Sequence, residues 1–101
     1  MIEPEVRVVA YQVSCLPPDH PEAPHFTLEV VARGYHRWAV TRFGFCYDAK
    51  GHERYEPNPS ARTDAFKHKY RHSLDDALAL AKRLAPTITV NGHTVEDVIR
   101  R

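Results

Sequence analysis

Residues 25–47 read HFTLEVVARGYHRWAVTRFGFCY and decide the fold, because they contain two consecutive segments typical of β-strands. In the first segment, 25–33, apolar side chains occupy every second position, as in a strand with one buried face. These side chains are Phe26, Leu28, Val30 and Ala32. Gly34 adopts a positive φ without steric cost, so the chain is expected to turn there. The following segment, 36–47, carries aromatic residues on both faces and predicts an antiparallel partner strand that is covered on both sides.

Further strands are expected on either side of this pair. The Val-rich residues 5–16 predict a strand before it, and residues 52–56 predict a short edge strand after a turn at 48–51. Four prolines between positions 17 and 24 separate the first two strands, since proline donates no hydrogen bond to a ladder. Together these signals predict a three- to four-stranded antiparallel meander.

The C-terminal third of the chain contains the helix signals. Residues 74–85 carry apolar side chains at helical spacing, with Ser73 as the N-cap and Pro86 as the stop. A short strand over 87–90, a turn at Asn91-Gly92 and a final helix over 95–100 should follow. Strands followed by helices predict a single α+β domain over 1–101, with one main amphipathic helix on one face of the sheet.

Composition narrows the class of protein. Hydrophobic residues make up 43% of the 101 residues, which argues against intrinsic disorder. A formal net charge of +1 gives no overall field that would draw the chain to a membrane or to nucleic acid. No signal peptide and no membrane-spanning apolar run is visible, so the sequence predicts a cytoplasmic protein without a membrane partner. Cys15 and Cys46 are then expected to be reduced and buried in strands.

The sharpest local feature is the basic segment, residues 62–72. Its cations alternate with Phe66 and Tyr70, and Thr63 is a candidate cap for a short helix carrying both rings. Two interpretations stay open: a surface for a phosphate backbone and bases, or a solvated cationic face over inward-packed rings. The candidate nucleic-acid or partner-binding residues are Arg62, Lys67, Lys69, Tyr70 and Arg71.

An open antiparallel sheet also has edges at which a partner strand or a second copy of the chain can pair. Trp38, with Tyr35 and Tyr47 near it in the strand pattern, is the candidate anchor of such an interface. The sequence therefore predicts a protein partner or a homodimer, with the alternative that these aromatic residues belong to the core.

Catalytic and metal-binding patterns are weak. No nucleophile motif or glycine-rich phosphate loop is present, so no catalytic residue and no cofactor is predicted. Seven histidines is a high number, and His68 and His72 would share a face if 62–72 were one helix. No cysteine or carboxylate nearby completes a familiar ligand set, so no metal ligand is assigned. A small enzyme or metal-binding protein remains the third hypothesis.

Several short motifs resemble small uncharacterised proteins encoded by actinobacterial phages and prophages. The resemblance covers the second half of the chain and lies in Tyr55-Glu56-Pro57, Pro59-Ser60-x-Arg62, the helix over 74–85 and Val90-Asn91-Gly92-x-Thr94. It implies only a setting, that of an accessory phage protein that binds a host protein. The leading hypothesis is therefore a small non-enzymatic interaction protein, with a nucleic-acid-binding module as the alternative.

Overall fold

The structure is a computed structural model that describes residues 1–100. Within those residues the chain forms one five-stranded antiparallel sheet whose strand order follows the sequence. The strands are β1 (Ala10–Ser14), β2 (Thr27–Ala32), β3 (Trp38–Arg42), β4 (Phe45–Tyr47) and β5 (Glu53–Tyr55). After them come α1 (Asp64–Tyr70), α2 (Leu74–Leu84), the hairpin β6 (Thr89–Val90) and β7 (His93–Thr94), and α3 (Val95–Ile99). This arrangement confirms the predicted α+β fold with its antiparallel meander, main helix and C-terminal strand and helix.

The segment 36–47 forms two strands, where the sequence predicted one. Phe43 and Gly44 have φ of 50° and 81°, and positive φ at both positions is the signature of a type I′ hairpin turn. Arg42 therefore pairs with Phe45, and Thr41 pairs with Cys46. Because the chain reverses there, Cys46 shares a face with Thr41, whereas in a single strand over 36–47 it would share a face with Trp38.

The N-terminal strand is shorter than the predicted 5–16. Its ladder with β2 covers Ala10–Ser14, and one further hydrogen bond joins the Ala32 amide to the Val9 carbonyl at 2.8 Å. Residues before Val9 run past the end of β2 and are exposed. Cys15 is exposed as well, which corrects its predicted burial, whereas Cys46 is buried as expected.

Helix α2 covers one face of β1, β2 and β3. The Ser73 hydroxyl accepts from the Asp76 amide at 3.2 Å, which confirms the predicted N-cap. Ala77, Leu80 and Ala81 form its buried face. They belong to the main core with sheet and C-terminal residues that include Leu28, Val30, Val40, Tyr47, Val95 and Val98. A fully buried Leu or Val side chain stabilises the fold by about 1.5–3 kcal/mol, so this face fixes the position of α2.

Helix α1 covers part of the opposite face. The Thr63 hydroxyl accepts from the Phe66 amide at 3.1 Å, so the helix begins where the sequence placed its cap. Phe66 and Tyr70 are buried with Cys46 in a second, smaller core. The sheet is thus covered on both faces near β4, where both faces were expected to be buried.

A buried carboxylate, Glu56, joins segments that are distant in sequence. It accepts from Arg33 Nε at 3.2 Å and Nη2 at 3.1 Å, and from Arg71 Nη2 at 2.7 Å. Arg62 Nη2 lies 3.6 Å from the same carboxylate. The Glu56 and Arg71 side chains are only 9% and 4% exposed. We call these four residues the Glu56 cluster, and it ties the β2–β3 turn and the end of α1 to the residue that follows β5.

The pKa values in this cluster show that pairing and burial oppose each other. Burial alone would raise the pKa of Glu56, but the hydrogen bonds and charge of Arg33, with the charges of Arg71 and Arg62, outweigh it and lower the pKa below its ordinary 4.5. For Arg71 the balance is reversed, because burial, together with the charge of Arg62, lowers the pKa of the guanidinium and the pairing with Glu56 does not fully offset this. Arginine nevertheless stays charged at neutral pH, so the cluster depends on a charged Glu56.

The connection from α1 to α2 is also hydrogen-bonded to the sheet. His72 and Trp38 exchange two backbone hydrogen bonds of 2.8 Å each. The His72 ring nitrogen Nε2 lies 2.9 Å from the Tyr47 carbonyl oxygen. Since α1 ends at Tyr70, His72 is not on one helix face with His68, which removes the geometric basis of the His68–His72 metal hypothesis.

Replacing Glu56 with glutamine should destabilise the protein strongly. The substitution keeps the shape but leaves the surrounding guanidinium groups without a counter-charge, and breaking a buried pair costs about 3 kcal/mol or more. Urea unfolding of Glu56→Gln measures this loss. The matched control is Glu96→Gln, which removes an exposed ion pair with Arg100 and should change stability by less than about 0.5 kcal/mol. Equal effects of the two substitutions would contradict a structural role for the cluster.

The Glu56 cluster should also make stability fall in acid. Since the folded pKa of Glu56 is lowered, its contribution is complete above pH 4.5 and is lost as pH falls from 4.5 through the folded pKa. Below 4.5 the unfolded chain takes up the proton first. We expect the difference in unfolding free energy between wild type and Glu56→Gln to shrink as pH is lowered, in urea titrations over that range. A pH-independent difference would show that the charge of Glu56 does not matter.

Candidate protein-binding site

The basic segment 62–72 does not present its aromatic rings to the surface. Phe66 and Tyr70 are 3% and 6% exposed and stack on each other with ring centroids 4.9 Å apart. The guanidinium carbons of Arg54 and Arg71 lie 5.1 Å from the centre of the Phe66 ring. Tyr70 is therefore part of the interior, which corrects its predicted role as a binding residue.

The cations of this segment are divided between the interior and the surface. Arg62 and Arg71 belong to the Glu56 cluster, and Arg62 Nε also donates to the Pro57 carbonyl at 2.9 Å. Lys69 is exposed, with its Nζ 3.9 Å from an Asp48 oxygen, and Lys67 is partly exposed on α1. Because Arg62 and Arg71 are needed to neutralise Glu56, the five predicted residues do not form one shared cationic surface.

Two of the predicted interface aromatics pack into or against the main core. Trp38 packs against the main core, with its ring centroid 5.8 Å from that of Tyr11. Tyr47 is 8% exposed and donates to Glu53 at 3.4 Å. Both lie on the sheet face that α2 covers, which buries Tyr47 and partly buries Trp38. Tyr35, in the β2–β3 turn, is 89% exposed, and its ring centroid lies 3.9 Å from that of the neighbouring His36.

Other aromatic residues are exposed around the β3–β4 turn. Phe43, Phe45 and Tyr55 are 62%, 38% and 69% exposed, and we call these three residues the hairpin patch. The Phe45 and Tyr55 rings meet edge to face at 6.0 Å. A side-chain Cβ on Gly44 would lie 3.5 Å from the Tyr55 ring, so this ring closely approaches the turn. Aromatic rings gathered in this way are the usual centre of a protein-binding surface.

Phe43 occupies a backbone conformation that its side chain disfavours. A φ of 50° suits glycine or asparagine, and for other residues the left-handed region costs about 1–2 kcal/mol. The Arg42 guanidinium lies 4.8 Å from the centre of the Phe43 ring and also donates to the His25 carbonyl, at 2.8 Å from Nη2. These contacts fix the ring without burying it, so core packing does not explain a phenylalanine here.

A groove of about 710 Å³ begins at Phe43 and crosses the open part of the sheet. Its floor is polar and comprises Gln12, Ser14, Thr27, Glu29 and Thr41. Its wall is the proline-rich connection between β1 and β2, with Leu16, Pro18, Ala23 and Pro24. Hydrogen bonds from Ser14 to the Phe26 carbonyl (3.0 Å) and from Thr27 to the Ala23 carbonyl (2.6 Å) hold this wall in place. The groove exists because α1 covers the same face only near β4.

Sequence reasoning missed the hairpin patch because it treated 36–47 as one strand. A phenylalanine before Gly44 gives a weaker turn signal than the Asn91-Gly92 pair, which was identified correctly. Reading Phe43-Gly44 as a turn would have placed both residues at a loop tip, where side chains are exposed.

The described residues contain neither a metal-binding cluster nor a membrane-spanning helix. Among residues 1–100, no group of three or more His, Cys, Asp or Glu side chains is arranged to hold a metal ion. None of the helices in this part of the chain combines the length and apolar character needed to cross a bilayer.

Comparison of the chain with protein-family models, curated proteins and solved structures gave no match. The function must therefore be argued from the residues themselves.

The substitution Phe43→Asn should stabilise the fold. Asparagine tolerates positive φ and Asn-Gly is the preferred pair in a type I′ turn, so relief of strain should raise the free energy of unfolding by about 0.5–1 kcal/mol. Urea unfolding checks this. Phe45→Asn is the matched control, since Phe45 lies in β4 without a strained φ, and it should lower stability. A destabilised Phe43→Asn protein would mean that the Phe43 ring serves the fold and not a partner.

Proposed function

We propose that this chain is a small non-enzymatic protein-binding domain that contacts its partner through the hairpin patch and the adjoining groove. The observation that carries the proposal is Phe43, an exposed aromatic ring held in a strained backbone conformation. Strain of this kind persists where function requires it, since the fold alone would favour another residue.

The chemistry of the surface fits a folded or extended protein segment. Aromatic rings supply the apolar centre of an interface, and polar groups at the rim and in the groove can satisfy the backbone of a bound chain. Here Phe43 lines a groove whose floor carries hydroxyl, amide and carboxylate side chains. Phe45 and Tyr55 pair with each other across β4 and β5 next to the same turn, on the other face of the sheet. Glu29 and Arg42 also line the groove, so it offers one charge of each sign to a partner segment.

The setting of this binding is part of the proposal. The resemblance to proteins encoded by actinobacterial phages and prophages supports an accessory protein that acts in the host cytoplasm on a host protein. A non-enzymatic role agrees with the absence of a nucleophile motif or phosphate-binding loop in the sequence.

A pull-down from an actinobacterial lysate tests the function, with the wild-type chain as bait and with nuclease in a parallel sample. We expect a protein that is retained by wild type, is insensitive to nuclease and is lost with Phe43→Asn or Tyr55→Ala. The matched control is Tyr35→Ala, which removes an exposed aromatic ring from the β2–β3 turn and should retain the partner.

Two results would overturn the proposal. Equal retention by wild type and Phe43→Asn would show that the hairpin patch is not the contact surface. Retention that disappears with nuclease and weakens steeply with salt would identify nucleic acid as the partner. In that case Lys67→Glu and Lys69→Glu, on the exposed side of α1, should abolish binding.

A further inference from the structure

We infer that the N-terminal arm, residues 2–9, pairs antiparallel with the same arm of a second copy, so that the protein forms a symmetric dimer. The arm precedes β1, and its last residue, Val9, still accepts a hydrogen bond from the Ala32 amide at the end of β2. Ile2, Val6, Val8 and Val9 are 97%, 100%, 57% and 61% exposed. This is a run of apolar, strand-forming side chains with no covering layer, which a monomer of this size rarely leaves in water.

The molecule exposes more surface than a compact monomer of the same mass. The radius of gyration is 15.1 Å, whereas a compact domain of about 100 residues has about 13 Å. The accessible surface is 7304 Å², whereas a compact monomer of 11.6 kDa exposes about 5,800 Å². The excess of about 1,500 Å² exceeds the roughly 800 Å² that each partner buries in an interface of standard size.

The backbone of the arm has an open edge suited to a second strand. The Val9 carbonyl accepts from the Ala32 amide, so odd-numbered residues of this strand direct their backbone groups toward β2. In an arm that continues the extended conformation of β1, even-numbered residues direct theirs to the free edge. Val6, Val8 and Ala10 offer both an amide and a carbonyl there, and Pro4 offers a carbonyl alone.

The side chains select one register for this pairing. A two-fold axis between antiparallel strands is perpendicular to the sheet, so a residue faces one of the same parity in the second copy. Registers centred on Glu5 or Arg7 place a like charge against itself, which is destabilising. The register centred on Val6 instead places Glu5 opposite Arg7 of the second copy, twice by symmetry. In the single chain Arg7 Nη2 lies 2.8 Å from Glu5 Oε2, and both side chains are exposed, so this intrachain pair can be exchanged for pairs across the strands.

The same register pairs apolar residues on the other face of the arm. Val6 faces Val6 of the second copy, Val8 faces Pro4, and Ala10 faces Ile2. Cross-strand pairs of this kind and opposite-charge pairs each contribute about 0.2–1 kcal/mol, and the whole set repeats about the axis. One register therefore satisfies charge, apolar contact and the free backbone edge together.

The arm and the hairpin patch are independent surfaces. The arm leaves the sheet where β2 ends at Ala32, beside Trp38 at the start of β3. Phe43 follows the other end of β3. A dimer built through the arms thus leaves both hairpin patches uncovered and would offer two of them to a partner. Failure of either proposal leaves the other standing.

Light scattering and sedimentation equilibrium of the full chain at micromolar concentration test the inference. Wild type should have a mass near twice 11.6 kDa. Glu5→Lys and Arg7→Glu each place like charges opposite one another and should raise the dimer dissociation constant by about tenfold or more. The double variant Glu5→Lys/Arg7→Glu restores opposite charges and should return the dissociation constant to within about threefold of wild type.

The control is Asp19→Lys, which makes the same charge change as Glu5→Lys at an exposed position in the proline-rich connection. It should dimerise as wild type does. Circular dichroism confirms that each variant is folded. A monomeric wild type would overturn the inference, and so would a dimer that is indifferent to the single charge reversals or is not rescued by the double variant.

Discussion

The burial of Glu56 among arginine side chains is the constraint on which the arrangement of this small fold depends. The carboxylate follows β5 at an edge of the sheet, yet it binds Arg33 from the end of β2 and Arg71 from the end of α1. Desolvating such charges is expensive, and only their mutual pairing offsets the cost. The chain must therefore bring β2, the loop after β5 and α1 together in one arrangement, which fixes α1 over Cys46.

The pairing around Glu56 also changes how the basic middle part of the sequence is interpreted. The middle of the chain is its basic part, and a basic segment with interleaved aromatic rings resembles a nucleic-acid contact. In the folded protein, Arg62 and Arg71 neutralise a buried carboxylate, and Phe66 and Tyr70 close a small core. Cations that are paired with a buried carboxylate contribute little to the electric field outside the protein. The candidate binding surface is therefore the aromatic one at the β3–β4 turn.

The two proposed surfaces arise from the same property of the sheet, which is larger than the layers that cover it. Helix α2 covers one face, and α1 covers only the β4 side of the other, which leaves the groove beside Phe43. In the part of the chain that the structure describes, the N-terminal arm before β1 is joined to β2 at Val9 and is paired with no strand before that residue. Uncovered sheet faces and edges are where proteins add strands or accept partners, because the unpaired backbone and apolar groups are already aligned.

The sequence by itself determined the features that are local. The alternation of apolar and polar side chains predicted β2, and the hydroxyl caps Thr63 and Ser73 predicted the starts of α1 and α2. Asn91-Gly92 predicted the turn of the C-terminal hairpin. Each of these features depends on side chains, hydrogen bonds and φ values within a few residues. Only the tertiary structure decided which aromatic residues are buried, where β3 ends and which cations are paired. Trp38 and Phe43 look alike in the strand pattern, but one lies under α2 and the other on a turn. Burial depends on contacts between segments that are distant in sequence, and the spacing of apolar residues along one segment does not specify those contacts.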